Sequence, residues 1–206
     1  MANMSHELRT PLNSILILSR LLVENLEGNL TNEQIDSARV IERSGSSLLH
    51  LIDEILDLSK IEAGKMKLDY HYVSLDIILS SLYGMFRPIV VESGLKLSIE
   101  VDENVPKFIE IDQLRLEQIL RNFLSNAVKF TSAGDIKLKV NLDHENPHLI
   151  HFVVEDTGIG IENKNLKLIF ESFQQADGST SRKFGGTGLG LSISSEIARL
   201  FGGEIK

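Results

Sequence analysis

The chain has 206 residues, of which 42% are hydrophobic and 24% are charged, enough apolar material for a core and too much for a disordered chain. Its 21 basic and 29 acidic side chains give a net charge of −8, which argues against nucleic-acid binding through an overall positive field. The sequence contains no cysteine, which excludes disulfides, thiolate metal sites and cysteine nucleophiles.

The first third of the chain is predicted to be a helical hairpin. Apolar residues recur at three- and four-residue spacing over residues 8–26 and again over residues 35–56, as on one face of each of two helices. Thr31 followed three residues later by Gln34 is a capping-box pattern that would start the second helix. Gly64 would end it. Because two helices alone bury little area, the pattern favours pairing with a second copy as a four-helix bundle. Packing of the hairpin on the globular part of its own chain is the alternative.

From about residue 67 onward, the hydrophobic pattern alternates between the periods of strands and helices. The pattern predicts strands over residues 67–75, 95–101, 136–142 and 149–155, helices over residues 75–92, 112–130 and 191–201, and a short helix over residues 162–170. Residues 179–190 are rich in Gly, Ser and Thr and are predicted to form a loop. A mixed domain with helices over one sheet is the simplest account.

Two glycine-containing segments could bind a flat or anionic ligand. Residues 156–160, Asp-Thr-Gly-Ile-Gly, follow an apolar strand, and their glycines would let the backbone approach a ligand closely. Residues 185–191, Gly-Gly-Thr-Gly-Leu-Gly-Leu, lead into a helix whose first N–H groups would attract an anion. The second segment fits neither the Walker nor the dinucleotide-binding pattern, because no Lys-Ser or Lys-Thr pair follows it and no strand leads into it. A plain turn and a mobile glycine loop are the alternatives.

Polar residues of the helix predicted over residues 112–130 lie on one stripe. Asn122, Asn126 and Lys129 are spaced by four and three residues, which places them on the same helix face. Amide oxygens can bind a hard cation, and an ammonium group can bind phosphate. An ordinary solvated polar face is the alternative.

The N-terminal segment contains a histidine at the start of the first apolar stripe. His6 is followed by Glu7, and Pro11 should bend the helix near the histidine. An ordinary exposed histidine is the alternative. The other histidines have no metal-ligand spacing, so we expect no histidine-bound metal.

Together these segments resemble the sensor histidine kinases of two-component signalling. The matching motifs are the H box at residues 5–13 (SHELRTPLN), the N box at residues 118–131 (QILRNFLSNAVKFT), a first glycine box at residues 156–161 (DTGIGI), the F box at residues 170–175 (FESFQQ) and a second glycine box at residues 185–191 (GGTGLGL). Their order and spacing match over nearly the whole chain. The sequence of residues 173–194 is also similar to that of hybrid kinases, which carry a fused receiver domain.

The resemblance implies an α+β fold in two domains. Residues 1–66 would be the dimerisation and histidine phosphotransfer domain, a hairpin that forms half of a dimeric four-helix bundle. Residues 67–206 would be the catalytic ATP-binding domain, an α/β sandwich of the type shared with heat-shock protein 90 and DNA gyrase. The family's domain continues with a strand hairpin beyond the glycine pair at 202–203, so we expect a fold truncated at its C-terminus.

The resemblance also implies roles for individual residues. His6 would accept the phosphoryl group, and Glu7 would orient the ring through the proton on its opposite nitrogen. Glu7 and Thr10 match the family's phosphatase signature, in which Thr10 would orient a water against a phospho-aspartate. Asn122 would coordinate Mg²⁺, and Asp156 would accept a hydrogen bond from the adenine amine. The implied ATP-binding set comprises Asn122, Asn126, Lys129, Asp156, Gly158, Gly160, Ile161, Arg182, Gly186, Thr187, Gly188 and Leu189, with Lys183 as a second cation of a mobile lid.

The expected function is that of a protein histidine kinase. It would use ATP and Mg²⁺ to phosphorylate His6 and then pass the phosphoryl group to an aspartate in the receiver domain of a response regulator, with response-regulator phosphatase activity as a second function. A non-catalytic, nucleotide-gated dimeric scaffold and an ATPase of the chaperone and topoisomerase group are the alternatives. No apolar run reaches the roughly 20 residues of a membrane span. We therefore expect a soluble cytoplasmic fragment without membrane contact in this segment, which leaves open a membrane-bound parent protein.

Overall fold

The computed structural model describes residues 2–143, 145–171, 173–174 and 187–206, with the backbone alone for residues 2–6. The chain divides into two compact units, Met1–Met66 (unit 1) and Lys67–Lys206 (unit 2). Among the described helices, none combines the length and the apolar character that a bilayer span requires.

Unit 1 is a helical hairpin, as the hydrophobic spacing predicts. Helix α1 spans Ala2–Glu24 and continues through Pro11, and helix α2 spans Asn32–Glu62. The two helices approach closely at Gly45, where an added Cβ would lie 2.9 Å from a methyl group of Leu16. Helix α2 ends before Gly64, whose φ of +62° is the left-handed conformation that glycine adopts without strain.

The hairpin leaves many apolar side chains of both helices exposed. These exposed residues, here called the apolar hairpin surface, are Leu8, Ile15, Ile17, Leu18, Leu21, Leu22, Val40, Ile41, Leu48 and Ile55. An exposed apolar surface of this kind is typical of a protein–protein interface.

The capping box predicted at the start of α2 is present in the structure. Thr31 Oγ1 accepts a hydrogen bond from the Gln34 backbone N–H at 3.3 Å, and Gln34 Oε1 accepts one from the Thr31 N–H at 2.8 Å.

Replacing Thr31 with alanine removes one of these bonds and should lower the free energy of unfolding of the hairpin by about 1 kcal/mol. Denaturant titration at matched protein concentrations measures this loss. Ser37→Ala, at an exposed position six residues later, should change the free energy of unfolding by much less.

Unit 2 is a mixed α and β domain. Its strands are β1 (His71–Ser74), β2 (Lys96–Val101), β3 (Phe108–Ile111), β4 (Asp135–Leu142) and β5 (Ile150–Asp156), and its helices are α3 (Leu75–Glu92), α4 (Gln113–Phe130) and α5 (Gly190–Leu200). Strands β2, β4 and β5 form one sheet in that order, with β2 parallel and β5 antiparallel to β4. Strands β1 and β3 form a separate antiparallel pair.

The core of unit 2 lies between this sheet and helices α3 and α4. Alternate residues of β4, namely Ile136, Leu138 and Val140, are buried in one cluster with residues of both helices, including Leu82 and Leu124. The residues between them, Lys137 and Lys139, face outward and form ion pairs with Glu100 and Glu155. The sheet and its two helices therefore form the layered arrangement that the alternating periods predict.

Three short elements differ from the predictions. The strand predicted over residues 67–75 is confined to β1, because only His71–Ser74 pair with β3 and helix α3 begins at Leu75. The short helix predicted over residues 162–170 is instead two 3₁₀ turns, Asn163–Asn165 and Leu168–Phe170. The pattern does not predict β3, because its four residues form a strand only by pairing with β1. Most of the loop predicted over residues 179–190 lies outside the described residues.

Candidate functional site

Helix α4 carries Asn122, Asn126 and Lys129 on one half-buried face. The opposite face contributes Leu120 and Leu124 to the core. The helical spacing of the three polar residues therefore brings them together, as the sequence predicts.

Helix α5 holds Asn122 in place. The Nδ2 of Asn122 donates a hydrogen bond to Oγ of Ser194 at 3.0 Å, and Ser194 is only 1% exposed. The amide oxygen Oδ1 lies against Gly190, where an added Cβ would overlap it. Gly190 begins α5, and the first N–H groups of a helix have no partner within the helix. An oxygen ligand for a cation and N–H donors for an anion therefore lie side by side.

The loop after β5 packs against the end of α4. Oδ1 of Asp156 accepts hydrogen bonds from the Gly158 N–H at 2.8 Å and from the Thr131 hydroxyl at 3.4 Å. Gly158 has no room for a side chain, because an added Cβ would lie 2.5 Å from the carbonyl oxygen of Phe130. Among the described residues, both hydrogen bonds to the Asp156 side chain use Oδ1, and Asp156 is exposed. Its second oxygen is therefore available to a hydrogen-bond donor of a ligand.

Thr157 fixes this loop from the other side, a role that sequence reasoning did not assign. Its Oγ1 donates to the carbonyl oxygen of Ala133 and accepts from the N–H of Asp135, both at 3.1 Å. A Cβ at Gly134, whose φ is +112°, would overlap the same hydroxyl. The turn into β4 and the loop after β5 are therefore joined around one threonine. The only local signal for this role is that Thr157 lies within the first glycine box.

The second glycine box is described from Thr187 onward. Thr187 Oγ1 accepts a hydrogen bond from the Leu189 N–H at 3.2 Å, and the carbonyl oxygen of Gly188 accepts one from the Phe173 N–H at 3.1 Å. Leu189 is fully buried and anchors the start of α5 in the domain. The F box and the second glycine box therefore meet through their backbones. Arg182, Lys183 and Gly186 lie outside the described residues.

The remaining predicted residues of the first glycine box are exposed. Gly160 has a φ of +67°, and Ile161 is exposed beside it. Neither forms part of the hydrogen-bond arrangement around Asp156 among the described residues.

Lys129 places a partly desolvated ammonium group on the polar face of α4. Burial lowers the pKa of Lys129, because removal from water disfavours its charged form. Its ammonium lies 4.8 Å from the centre of the Phe130 ring. A bound anion would offset this desolvation.

The site residues fit a nucleotide with its metal ion. The crowding at Gly158 and Gly190 leaves no room for a side chain at either position. The described residues contain no group of three His, Cys, Asp or Glu side chains that could hold a metal ion. An ion at Asn122 would therefore take its other ligands from phosphate and water, as Mg²⁺ commonly does.

The predicted phosphoacceptor segment lies on α1. The backbone of His6 is helical, and Glu7 and Thr10 are exposed on the following turn. Arg9 of the same motif forms a 2.6 Å ion pair with Asp53 of α2. This pair ties the segment to the second helix of the hairpin.

Comparison with known protein families finds two domains in the chain, in the order of unit 1 and unit 2. Residues 1–64 match the His Kinase A (phospho-acceptor) domain, and residues 111–206 match the histidine kinase-, DNA gyrase B- and HSP90-like ATPase domain. Similar relatives include hybrid signal transduction histidine kinase B of Dictyostelium discoideum, 43% identical over all of this chain and 10% of the relative, and sensor histidine kinase GacS of Pseudomonas protegens, 44% identical over all of this chain and 22% of the relative.

A solved structure agrees with the sequence comparison. Full-length ShkA in complex with AMPPNP is 35% identical, with a TM-score of 0.79 over 98% of this chain and 40% of that chain. The chain thus spans between 10% and 40% of the length of these relatives. The chain contains two family domains in the expected order, its relatives match it from end to end, and it shares their fold. The chain therefore belongs to the sensor histidine kinases of two-component signalling.

Proposed function

We propose that this chain carries out ATP-dependent phosphorylation of His6 and then transfers the phosphoryl group to an aspartate in the receiver domain of a response regulator. In this proposal residues 1–66 are the dimerisation and phosphotransfer domain, and residues 67–206 are the catalytic ATP-binding domain. The observation that carries the proposal is the convergence of α4, α5 and the β5 loop, where Asn122 is fixed between Ser194 and Gly190.

The nucleotide would be recognised from both ends. Asp156, oriented by Gly158 and Thr131, would accept a hydrogen bond from the adenine amine. Asn126 and Lys129 would contact ribose and phosphate, and the start of α5 would offer N–H groups to phosphate oxygens. Gly160, Ile161, Thr187, Gly188 and Leu189 would line the pocket, with Arg182, Lys183 and Gly186 as further contacts from the lid.

Asn122 would hold Mg²⁺ through Oδ1, because its Nδ2 is engaged by Ser194. When bound, Mg²⁺ neutralises phosphate charge and orients the reacting group. Ser194 would keep the amide from rotating, so that oxygen and not nitrogen faces the ion.

On the hairpin, the His6 ring would be the nucleophile. An imidazole with an ordinary pKa of about 6.5 is largely neutral at pH 7 and can attack phosphorus. Transfer forms a phosphorus–nitrogen bond on His6 and releases ADP, while Glu7 takes or orients the ring proton. Phosphoryl transfer depends mainly on positioning and charge stabilisation, which a hinge between the two domains would serve.

The apolar hairpin surface supports a homodimer through residues 1–66. A second copy would cover these exposed residues in a four-helix bundle. Helix α1 would present His6 to the response regulator. Thr10 of the same helix would orient a water molecule against the phospho-aspartate of the regulator. These roles make both kinase and phosphatase activity part of the proposal.

The direct test is incubation of the purified chain with Mg²⁺ and γ-labelled ATP. We expect covalent label that is lost in acid and stable in alkali, as a phosphorus–nitrogen bond on histidine requires. Label with the opposite stability would identify another acceptor. ATP binding without any label would overturn the kinase proposal and favour the non-catalytic scaffold.

Asp156→Asn should weaken ATP binding by about 10- to 100-fold. The amide oxygen can still accept from Gly158 and Thr131, but the amide nitrogen cannot accept from the adenine amine. Loss of a hydrogen bond to a charged group corresponds to this range. Titration calorimetry with AMPPNP measures the change. The exposed residue Glu155 offers a matched control, since Glu155→Gln should leave affinity unchanged, and equal losses in both variants would contradict the role of Asp156.

A further inference from the structure

The buried carboxylate that starts α4 binds two separate segments. Asp112 is 7% exposed, and its Oδ1 accepts the Arg115 N–H at 3.1 Å as an ordinary helix N-cap. Its Oδ2 accepts the backbone N–H of Asp69 at 3.0 Å. Asp69 lies near the start of unit 2, just after the chain leaves the hairpin. The helix that carries Asn122 is therefore attached to the segment that follows the hairpin.

The next residue along the chain makes a second attachment. The ring of Tyr70 packs edge-to-face on Phe201, with ring centres 6.1 Å apart and an interplanar angle of 75°. Phe201 is the C-cap of α5. Two consecutive residues thus hold one end of each site helix, and the Asn122–Ser194 bond joins the same two helices at the site.

We propose that Asp69 and Tyr70, with Asp112 and Phe201, form a linker clamp that couples the hairpin to the nucleotide site. If the segment that follows α2 shifts, it would move the start of α4 relative to the end of α5. This movement would change the position and orientation of the Asn122 side chain. Coupling is reciprocal, so nucleotide binding must also alter the last turns of α2. Asp112 and Tyr70 are positioning residues in this scheme, which rests on the proposed nucleotide-binding function.

Conservative variants distinguish an effect on the linker clamp from a general loss of fold stability. Asp112→Asn has one acceptor oxygen, which can cap α4 as well as aspartate does but cannot also accept from Asp69. Tyr70→Leu removes the ring contact, whereas Tyr70→Phe retains it. Asp69→Ala is a further control, because it removes an exposed carboxylate and keeps the backbone N–H that Asp112 binds.

The test is hydrogen exchange of the full chain with and without saturating Mg²⁺ and AMPPNP, with nucleotide affinity measured for each variant. Nucleotide should slow exchange over residues 55–66 by about fivefold or more in the wild type, the lower end of usual allosteric coupling. Tyr70→Phe and Asp69→Ala should respond in the same way. Asp112→Asn and Tyr70→Leu, once saturated, should lose most of the response.

Two results would overturn the clamp. One is a wild type that binds nucleotide with no change over residues 55–66. The other is a full response in saturated Tyr70→Leu, a variant that leaves the α4 cap intact. A wild type that binds no nucleotide is a separate outcome, because it overturns the proposed function and this inference with it.

Discussion

Replacing His6 with glutamine is expected to abolish acid-labile labelling by γ-labelled ATP while leaving nucleotide affinity unchanged. Glutamine is similar in size and polarity, but its amide nitrogen is not a nucleophile at neutral pH. The proposed nucleotide-binding residues all belong to unit 2, whereas His6 belongs to unit 1. The measurement is covalent label per chain, together with AMPPNP affinity by calorimetry.

A matched control is His148→Gln, which changes an exposed histidine in unit 2 in the same way. We expect it to label like the wild type. Label that persists in His6→Gln would place the acceptor elsewhere in the chain.

The His6→Gln variant also identifies the direction of transfer within the proposed dimer. Asn122→Ala should retain His6 but lose the Mg²⁺ ligand, so neither variant labels alone. When the two are mixed and allowed to exchange subunits, restored label means that one chain phosphorylates the other. Absence of label in mixed dimers means transfer within one chain.

The long elements of this fold could be predicted from the sequence because their signals are local. Helix α3 has the predicted bounds of 75–92, and the capping pattern at Thr31 correctly marks the start of α2. Strand β3 could not be found in this way. Its residues form a strand because Ile109 pairs with Val73 across the chain, and four residues are too few to show a period.

The same distinction applies to the candidate site. The spacing of Asn122, Asn126 and Lys129 indicates their common face, because a helix repeats locally. The partner that fixes Asn122 lies 72 residues away, and nothing near Ser194 indicates it. Asp112 could be read as the start of a helix, but its second bond to Asp69 spans 43 residues and depends on the tertiary fold. The motifs thus locate the proposed site residues, whereas the residues that hold them in place emerge only from the structure.

Gly190→Ala is expected to lower ATP affinity by about 10- to 100-fold, and the unpaired Ser194 hydroxyl should lower the free energy of unfolding by about 1–3 kcal/mol. The added Cβ overlaps Oδ1 of Asn122, which is the end of a side chain and can rotate away. Rotation would break the bond to Ser194 and move the proposed Mg²⁺ ligand. An interaction with a charged group is worth about 1.5–3 kcal/mol, and its loss corresponds to the expected loss of affinity.

Gly84→Ala is the matched control, since it is also a glycine-to-alanine change in a helix. Apart from its chain neighbours and the nearby backbone of its own helix, no atom of the described residues lies within 4 Å of a Cβ at Gly84. Alanine there should leave affinity unchanged and raise the free energy of unfolding by about 0.5–1 kcal/mol, because it removes the backbone entropy that glycine loses on folding. Calorimetry with AMPPNP and denaturant titration of both variants give the two quantities.

The double variant Gly190→Ala with Asn122→Ala tests the physical cause directly. If the added methyl group acts only by displacing Asn122, it has nothing left to displace once that side chain is removed. The double variant should then bind ATP as weakly as Asn122→Ala alone, so the two losses should be strongly non-additive. Additive losses would mean that Gly190 acts through another contact, such as direct approach of phosphate to the start of α5. Wild-type affinity in Gly190→Ala would show that the contact between Asn122 and α5 has no part in nucleotide binding.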